Sequence, residues 1–174
     1  AERQLIVRTV KSKGWQIMII GLTGSIASGK STIADMIRNM GLPIVDADLV
    51  ARQVVEVGSP TLAEIVEEFG QEILLSTGEM DRAKVGAIIF NDEQKRLKLN
   101  SIIHPAIRVE MIRQRDAYVG EGKHVVMDIP LLFESKLQHL VDKILVVTVS
   151  PEVQLQRLMT RNNFSEEEAR SEER

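Results

Sequence analysis

The sequence predicts an α/β fold in which helices cover both faces of a parallel β-sheet. Two observations carry this prediction. Short apolar runs of strand length alternate with longer segments whose apolar residues recur at helical spacing. A glycine-rich segment also follows the first apolar run directly and leads into a helical segment. Such alternation is typical of parallel sheets, because two parallel strands need a long crossover between them.

Four apolar runs are expected to form the strands of this sheet. They cover residues 16–22, 42–45, 124–130 and 143–150. Each run is short and contains few polar residues, which is typical of strands that are buried on both faces. The order of the runs along the chain therefore predicts one parallel sheet with a buried centre.

Helical segments are expected after each strand. The segment 31–40 has apolar residues at helical spacing, with Gly41 as its C-cap. Ser59 and Pro60 have the residue types of an N-cap and a first helical position, and Ser150 and Pro151 repeat that pattern. Further helices are predicted over residues 82–90 and 92–120, and one helix is expected between the third and fourth strands.

The helical stretch 49–120 is too long to be a single crossover, and it predicts an inserted helical subdomain. The expected core of the fold then comprises residues 18–48 and 121–150, and a further helix starts the segment 151–174. Residues 1–17 are expected to be an N-terminal extension of unclear origin. The acidic end of the chain is expected to be a solvated helix start.

Composition excludes several classes of function. The 174 residues carry a net charge of -3, which argues against a strongly basic nucleic-acid-binding protein. There is no cysteine, so disulfides, thiolate metal sites and cysteine nucleophiles are excluded. Aromatic residues make up 3%, too few for base-stacking platforms. No apolar run is long enough for a membrane span.

The glycine-rich segment Gly24-Ser25-Ile26-Ala27-Ser28-Gly29-Lys30-Ser31 fits the pattern G-x-x-x-x-G-K-[ST] at every fixed position. It lies between a predicted strand and a predicted helix, as a phosphate-binding loop requires. The dinucleotide pattern G-x-G-x-x-G does not fit the glycine spacing. A guanine-reading N-K-x-D tetrapeptide is absent. The loop therefore predicts a nucleoside triphosphate site and argues against a regulatory GTPase.

Six consecutive residues are expected to bind the phosphates through backbone N–H groups: Ala27, Ser28, Gly29, Lys30, Ser31 and Thr32. The Lys30 side chain is expected to reach the β- and γ-phosphates, and the Ser31 hydroxyl is expected to bind Mg²⁺. The sequence thus predicts that a nucleoside triphosphate binds here together with magnesium.

Acidic residues follow two of the predicted strands, at the edge where open α/β sheets bind ligands. Asp46 and Asp48 close the second strand, and Asp128 ends the third. Asp48 could accept a proton from an attacking hydroxyl or hold Mg²⁺ through water, or it could cap the next helix. Asp128 could act as a metal-side acid or only start a turn, and Glu134 could be a solvated loop residue.

Several segments together resemble the dephospho-CoA kinase family. They read IGLTGSIASGKST, IVDADLVARQVV, IIHPAI, VVMDIPLLFE and VTVSPEVQLQRLMTRNNFSEEEAR. The resemblance covers nearly the whole chain from Met18. It implies a P-loop NTPase-type fold with a helical insertion that binds the substrate and a helical lid. It also implies transfer of the γ-phosphoryl group of ATP to the ribose 3′-hydroxyl of dephospho-CoA.

The resemblance also implies roles for individual residues. Asp48 matches the general base proposed for the family. Lys30 matches the phosphate-loop lysine that follows the charge as it migrates toward the acceptor. The acceptor side is implied to include Asp128, Pro130, Leu131 and Glu134, with Arg82 and His104 in the CoA-binding insertion 49–120. A buried histidine that starts a helix is the alternative for His104. In the lid, Arg157 and Arg161 are implied to stabilise the transferred group, the alternative being a solvated basic face.

For the whole protein, the resemblance implies ATP and Mg²⁺ as cofactors and dephospho-CoA as the partner molecule. It implies a cytoplasmic monomer or small homo-oligomer, without nucleic-acid or membrane partners. The family continues past residue 174, so the chain is expected to be shorter than its natural counterpart. Two other functions stay open: another small-molecule or nucleoside monophosphate P-loop kinase, and a nucleotide-gated assembly protein with slow hydrolysis.

Overall fold

A computed structural model describes residues 16–162 of the chain. Nearly all of the expected N-terminal extension and the acidic C-terminal segment lie outside these described residues. The strands are β1 (Ile19–Gly24), β2 (Ile44–Asp46), β3 (Val125–Asp128) and β4 (Lys143–Val147). The helices are α1 (Lys30–Asn39), α2 (Ala47–Gln53), α3 (Pro60–Phe69), α4 (Arg82–Phe90), α5 (Glu93–Gly120) and α6 (Pro151–Asn162).

The four strands form one parallel sheet in the order β2-β3-β1-β4. The register pairs Asp128 with Leu22 of β1 on one side and with Asp46 of β2 on the other. Gly24 at the end of β1 pairs with Val147 of β4. The carboxyl ends of all four strands therefore meet at one edge, as the sequence predicts.

Helices pack on both faces of the sheet, which confirms the predicted class. On one face, Ala34 of α1 is buried against Leu22 and Val126. On the other face, Met111 of α5 is buried in a larger cluster with Met127 and other residues of β2 and β3. Burial of these side chains on two sides of the central strands explains why their sequence is almost entirely apolar.

The helices between β2 and β3 have a hydrophobic core of their own. Its buried members are Val55, Ile65, Ile73, Val85, Leu99 and Ile102. Helix α5 contributes to this core through its N-terminal half and to the sheet core through its C-terminal half. Pro105 lies inside α5, between these two halves. The division of the chain at residues 49 and 120 stays a prediction, and α5 is shared by both cores.

The helix expected between the third and fourth strands is not formed, and this expectation was wrong. Residues 129–142 form turns and a short 3₁₀ helix, Gln138–Leu140. Leu132 and Leu140 are both buried in the sheet core, while Lys136 between them has a φ of 55°. A residue in this left-handed region reverses the chain and cannot continue a right-handed helix.

The helix caps follow the sequence closely. Ser59 Oγ accepts a hydrogen bond from the N–H of Leu62 at 3.1 Å, and Pro60 is the first residue of α3. Ser150 Oγ likewise accepts from the N–H of Val153 at 3.5 Å. The cap of α1 is one residue earlier than predicted, at Met40, and Gly41 follows with a φ of 80°. The strands begin or end up to three residues from their predicted bounds.

Two methionines offer a test of the packing on α5. Met111 is 1% exposed, whereas Met36 on α1 is 53% exposed. Met111→Ala should lower the free energy of unfolding by about 2–5 kcal/mol, because it removes a buried side chain and leaves a cavity. Met36→Ala is the matched control and should change it by less than about 0.5 kcal/mol. Urea denaturation of both variants measures this; equal destabilisation would contradict the assigned core.

Candidate active site

The glycine-rich segment connects β1 to α1 through two residues in the left-handed region. Ala27 has a φ of 57° and Gly29 a φ of 94°. The N–H of Ser28 donates to the Ser25 carbonyl at 3.1 Å and closes a tight turn. Gly29 is the N-cap of α1, and no side chain caps this helix end within the described residues. The first N–H groups of α1 are thus free to bind an anion.

Gly24 is required by the close packing at the base of this loop. A Cβ atom at this position would lie 2.6 Å from the Val147 carbonyl oxygen and 2.8 Å from Ser28 Oγ. Ser28 Oγ is buried there and has no hydrogen-bond partner within residues 16–162. Any side chain at Gly24 would push the loop away from β4, so the first glycine of the pattern has a steric cause.

Helix α6 holds the loop from its outer side. Arg157 Nη1 donates hydrogen bonds to the carbonyls of Ala27 at 3.2 Å and Ser28 at 3.1 Å. Gln154 Nε2 donates to the Ile26 carbonyl at 2.9 Å. Three successive carbonyls of the loop therefore face α6. Arg161 belongs to the same helix, but its side chain lies outside the described part of the structure.

Partly buried Lys30 and buried Asp128 form an ion pair at the edge of the sheet. Lys30 Nζ lies 2.6 Å from Asp128 Oδ1, and Asp128 is only 4% exposed. Burial raises the pKa of the Asp128 carboxyl above its ordinary value; the nearby charge of Lys30 opposes this shift, and Asp46 and Asp48 add to it. The Lys30 side chain is thus fixed to β3, while its backbone forms the first residue of α1.

Asp46 and Asp48 have different roles in the structure. Asp46 caps α2, because its Oδ1 accepts hydrogen bonds from the N–H groups of Asp48 at 2.9 Å and Leu49 at 3.1 Å. Arg38 lies 3.5 Å from the other oxygen of Asp46. The alternative that Asp48 itself is the helix cap was therefore wrong. The Asp48 side chain is exposed and lines the cleft beside the loop.

That cleft has a volume of about 830 Å³, within the range of sites for small molecules. Three walls meet in it. The phosphate loop forms the first, Asp48 the second, and the segment after β3 the third, with Pro130, Leu131, Phe133 and Glu134. Lys30 of the first wall pairs with Asp128, which does not itself line the cleft. The structure thus brings the predicted loop residues from Ala27 to Ser31 into one cavity with Asp48, Pro130, Leu131 and Glu134, whereas Thr32 and Asp128 do not line it.

Some residues of the cleft were not singled out from the sequence. Phe133, Val146 and Gln154 line it. Gln154 lies three residues before Arg157 and so on the same face of α6, a spacing that could have identified it. Phe133 stands in the quoted segment VVMDIPLLFE, but its exposure results from the turn after β3. Val146 reaches the cleft through its position on β4, which depends on the strand order.

Arg82 and His104 are in the helical insertion and do not line this cleft. Arg82 is exposed at the first position of α4, directly after the N-cap Asp81. His104 is exposed within α5, so the alternative of a buried histidine that starts a helix was wrong. Their assignment to substrate binding stays a prediction.

The donor set fits a magnesium ion that is held jointly with a nucleotide. Within the described residues, no group of three or more His, Cys, Asp and Glu side chains could hold a metal by itself. Ser31, on the first turn of α1, and Asp48 both line the cleft. Magnesium commonly takes one or two protein oxygens and completes its shell with phosphates and water. The residues present suit that mode of binding.

The comparisons with known proteins agree with this geometry. The model of the dephospho-CoA kinase family matches residues 18–174. The chain belongs to this family. It is 60% identical over 153 residues to the dephospho-CoA kinase of Bacillus anthracis, covering 87% of this chain and 76% of the relative. It is 57% identical over 155 residues to that of Geobacillus kaustophilus, with 88% and 77% covered.

Solved structures support the same assignment. The dephospho-CoA kinase from Campylobacter jejuni superposes with a TM-score of 0.67 at 29% identity, covering 88% of this chain and 77% of that one. The protein TT1252 from Thermus thermophilus superposes with a TM-score of 0.69 at 30% identity, with 90% and 78% covered. The predicted P-loop NTPase-type fold is thereby confirmed.

Within residues 16–162, no helix is both long enough and apolar enough to cross a bilayer.

Asp128 gives this site a measurable pH dependence. Its pKa is raised in the folded state, so the folded chain binds a proton at higher pH than the unfolded chain does. Its contribution to the free energy of unfolding is therefore most favourable below the unfolded pKa and declines as pH rises through the folded one. Asp128→Asn removes this pH-dependent contribution to the free energy of unfolding. The stability of the variant relative to wild type should rise with pH from the ordinary aspartate value upward.

Urea denaturation of the two proteins at a series of pH values measures this difference. Asp116→Asn is the control, because Asp116 is exposed on α5 and pairs with its neighbour Arg115. A stability of Asp128→Asn relative to wild type that falls with rising pH would contradict a raised pKa.

Proposed function

We propose that the chain transfers the γ-phosphoryl group of ATP to the ribose 3′-hydroxyl of dephospho-CoA, which gives coenzyme A and ADP, the last step of coenzyme A biosynthesis. Membership of the dephospho-CoA kinase family supports this activity, with ATP as a substrate. The structural observation that supports it best is a single cleft with a phosphate loop on one wall and Asp48 on the other.

On the donor side, the loop residues Ala27 to Thr32 bind the ATP phosphates through their backbone N–H groups. The loop bends through the left-handed residues Ala27 and Gly29, and α1 begins where the phosphates bind, so its dipole favours their charge. The Lys30 ammonium follows the charge toward the leaving phosphate. Its ion pair with Asp128 keeps it at the base of the cleft before ATP binds.

On the acceptor side, Asp48 accepts the proton of the ribose hydroxyl. Its exposed carboxylate lines the cleft, and the capping bonds made by Asp46 fix the turn of backbone that carries it. Pro130, Leu131 and Glu134 form the surface against which the acceptor lies. Arg82 and His104 bind more distant parts of dephospho-CoA from the helical insertion.

Magnesium completes the donor side. Ser31 would hold it with the phosphates, and Asp48 or Asp128 would contact it directly or through water. When bound, it neutralises charge on the β- and γ-phosphates. Asp128 would offer the oxygen that is not paired with Lys30.

Helix α6 acts as the start of a lid. Arg161 and Arg157 stabilise charge on the transferred group when α6 closes, and closure excludes water as a competing acceptor. In the structure, Arg157 binds the loop carbonyls. It therefore reaches the phosphates only after α6 moves. We also propose that the protein acts in the cytoplasm as a monomer or small homo-oligomer, and that its net charge of -3 disfavours nucleic acid as a partner.

Release of ADP from ATP and Mg²⁺, with and without dephospho-CoA, tests the proposed function. Acceptor-dependent release is expected, because the proposed reaction needs a hydroxyl beside Asp48. Release that a nucleoside monophosphate stimulates instead would indicate another P-loop kinase. Slow release that no acceptor stimulates would indicate a nucleotide-gated assembly protein.

Asp48→Asn should lower turnover by about 10²-fold, the usual contribution of a general base, with little change in ATP binding. The change keeps the shape of the side chain and removes its ability to take a proton. Steady-state kinetics and ATP titration measure the two effects. Asp116→Asn is the control and should keep wild-type kinetics. Turnover near wild type in Asp48→Asn would exclude Asp48 as the base.

A further inference from the structure

The backbone ladder between β1 and β3 stops where the two strands enter the active site. The last pair in the register is Leu22 with Asp128. The final backbone bond runs from the N–H of Ile129 to the Leu22 carbonyl, at 2.9 Å. The next residue, Pro130, lies in the turn that follows β3, where the regular pairing with β1 ends.

A side chain bridges the two strands at this point. Thr23 Oγ1 donates a hydrogen bond to the Pro130 carbonyl oxygen at 2.9 Å. Thr23 is 3% exposed, so water does not readily replace this bond. The threonine hydroxyl therefore joins β1 to the chain after β3 one step beyond the last backbone bond.

The two joined segments carry two of the three walls of the cleft. Thr23 directly precedes Gly24, the first residue of the phosphate loop. Pro130 directly precedes Leu131 and lies in the same wall as Glu134. In-line phosphoryl transfer depends on the separation and angle between donor and acceptor, and small displacements cost large factors in rate.

We propose that Thr23 is a positioning residue that sets the acceptor wall relative to the phosphate loop through the Pro130 carbonyl. This inference rests on the proposed function, since it assigns the acceptor to that wall. Thr23 acts through Pro130 and does not take part in the chemistry. Its loss should therefore affect use of the acceptor more than binding of ATP.

Three substitutions separate the hydroxyl from the rest of the side chain. Thr23→Val keeps the shape and removes the donor. Thr23→Ser keeps the donor and removes the methyl group. Thr23→Ala removes both, so serine and alanine form a matched pair that differs only in the hydroxyl. This pair still tests the inference if the valine variant fails to fold.

We expect kcat/KM for dephospho-CoA to fall by about five- to tenfold in Thr23→Val and Thr23→Ala, the loss typical of one neutral hydrogen bond. Thr23→Ser should stay within about twofold of wild type. The Kd for ATP should be unchanged in all three, because the loop keeps its own contacts with β4 and α6. Steady-state kinetics with varied dephospho-CoA give kcat/KM, and a direct ATP titration gives the Kd.

Two results would overturn the inference. One is wild-type acceptor kinetics in Thr23→Val and Thr23→Ala. The other is an equal loss of ATP affinity and acceptor efficiency, which would place the effect on the phosphate loop alone. In either case, acceptor-dependent activity of the wild-type protein would still support the proposed function. A wild-type protein that dephospho-CoA does not stimulate would contradict the proposed function and the inference together.

Discussion

The buried contact between Lys30 and Asp128 is the interaction on which the arrangement of the site depends. It joins the first residue of α1 to the last residue of β3, and so links the phosphate loop to the centre of the sheet. A buried carboxylate is costly without a partner, and a lysine in the first turn of a helix gains nothing from the helix dipole. Each group compensates for the unfavourable position of the other.

The surroundings of this pair concentrate negative charge at the edge of the sheet. Asp46 and Asp48 are close enough to Asp128 to raise its pKa together with burial. A site that receives a triphosphate must then balance repulsion between these carboxylates and the phosphates. The free N–H groups at the start of α1 and the Lys30 charge contribute to that balance, and the magnesium ion proposed above would add to it.

Local sequence was sufficient to predict much of this molecule. The pattern from Gly24 to Ser31 identifies the phosphate loop, and Ser59 with Pro60 identifies the start of α3, because each is a local arrangement of residue types. The alternation of strands and helices predicted the parallel sheet and hence the edge at which Asp48 and Asp128 meet. These features need no knowledge of distant contacts.

The features that were not predicted depend on contacts between distant segments. The binding of Arg157 to the carbonyls of Ala27 and Ser28 joins residues that are far apart in the sequence. The turns after β3 depend on how Leu132 and Leu140 fill the sheet core, which a pattern of apolar residues does not reveal. Asp48 was the expected alternative cap by residue type, and the backbone geometry at the end of β2 gives that role to Asp46 instead.

Helix α5 packs in both the sheet core and the core of the helices between β2 and β3. Its ends are fixed in different cores, and Pro105 lies between them without an N–H for the preceding turn of helix. Bending therefore costs least at this point. We therefore expect any tilt of the helices between β2 and β3 against the sheet to be a rotation about the middle of α5, with the N-terminal half of that helix as its lever arm.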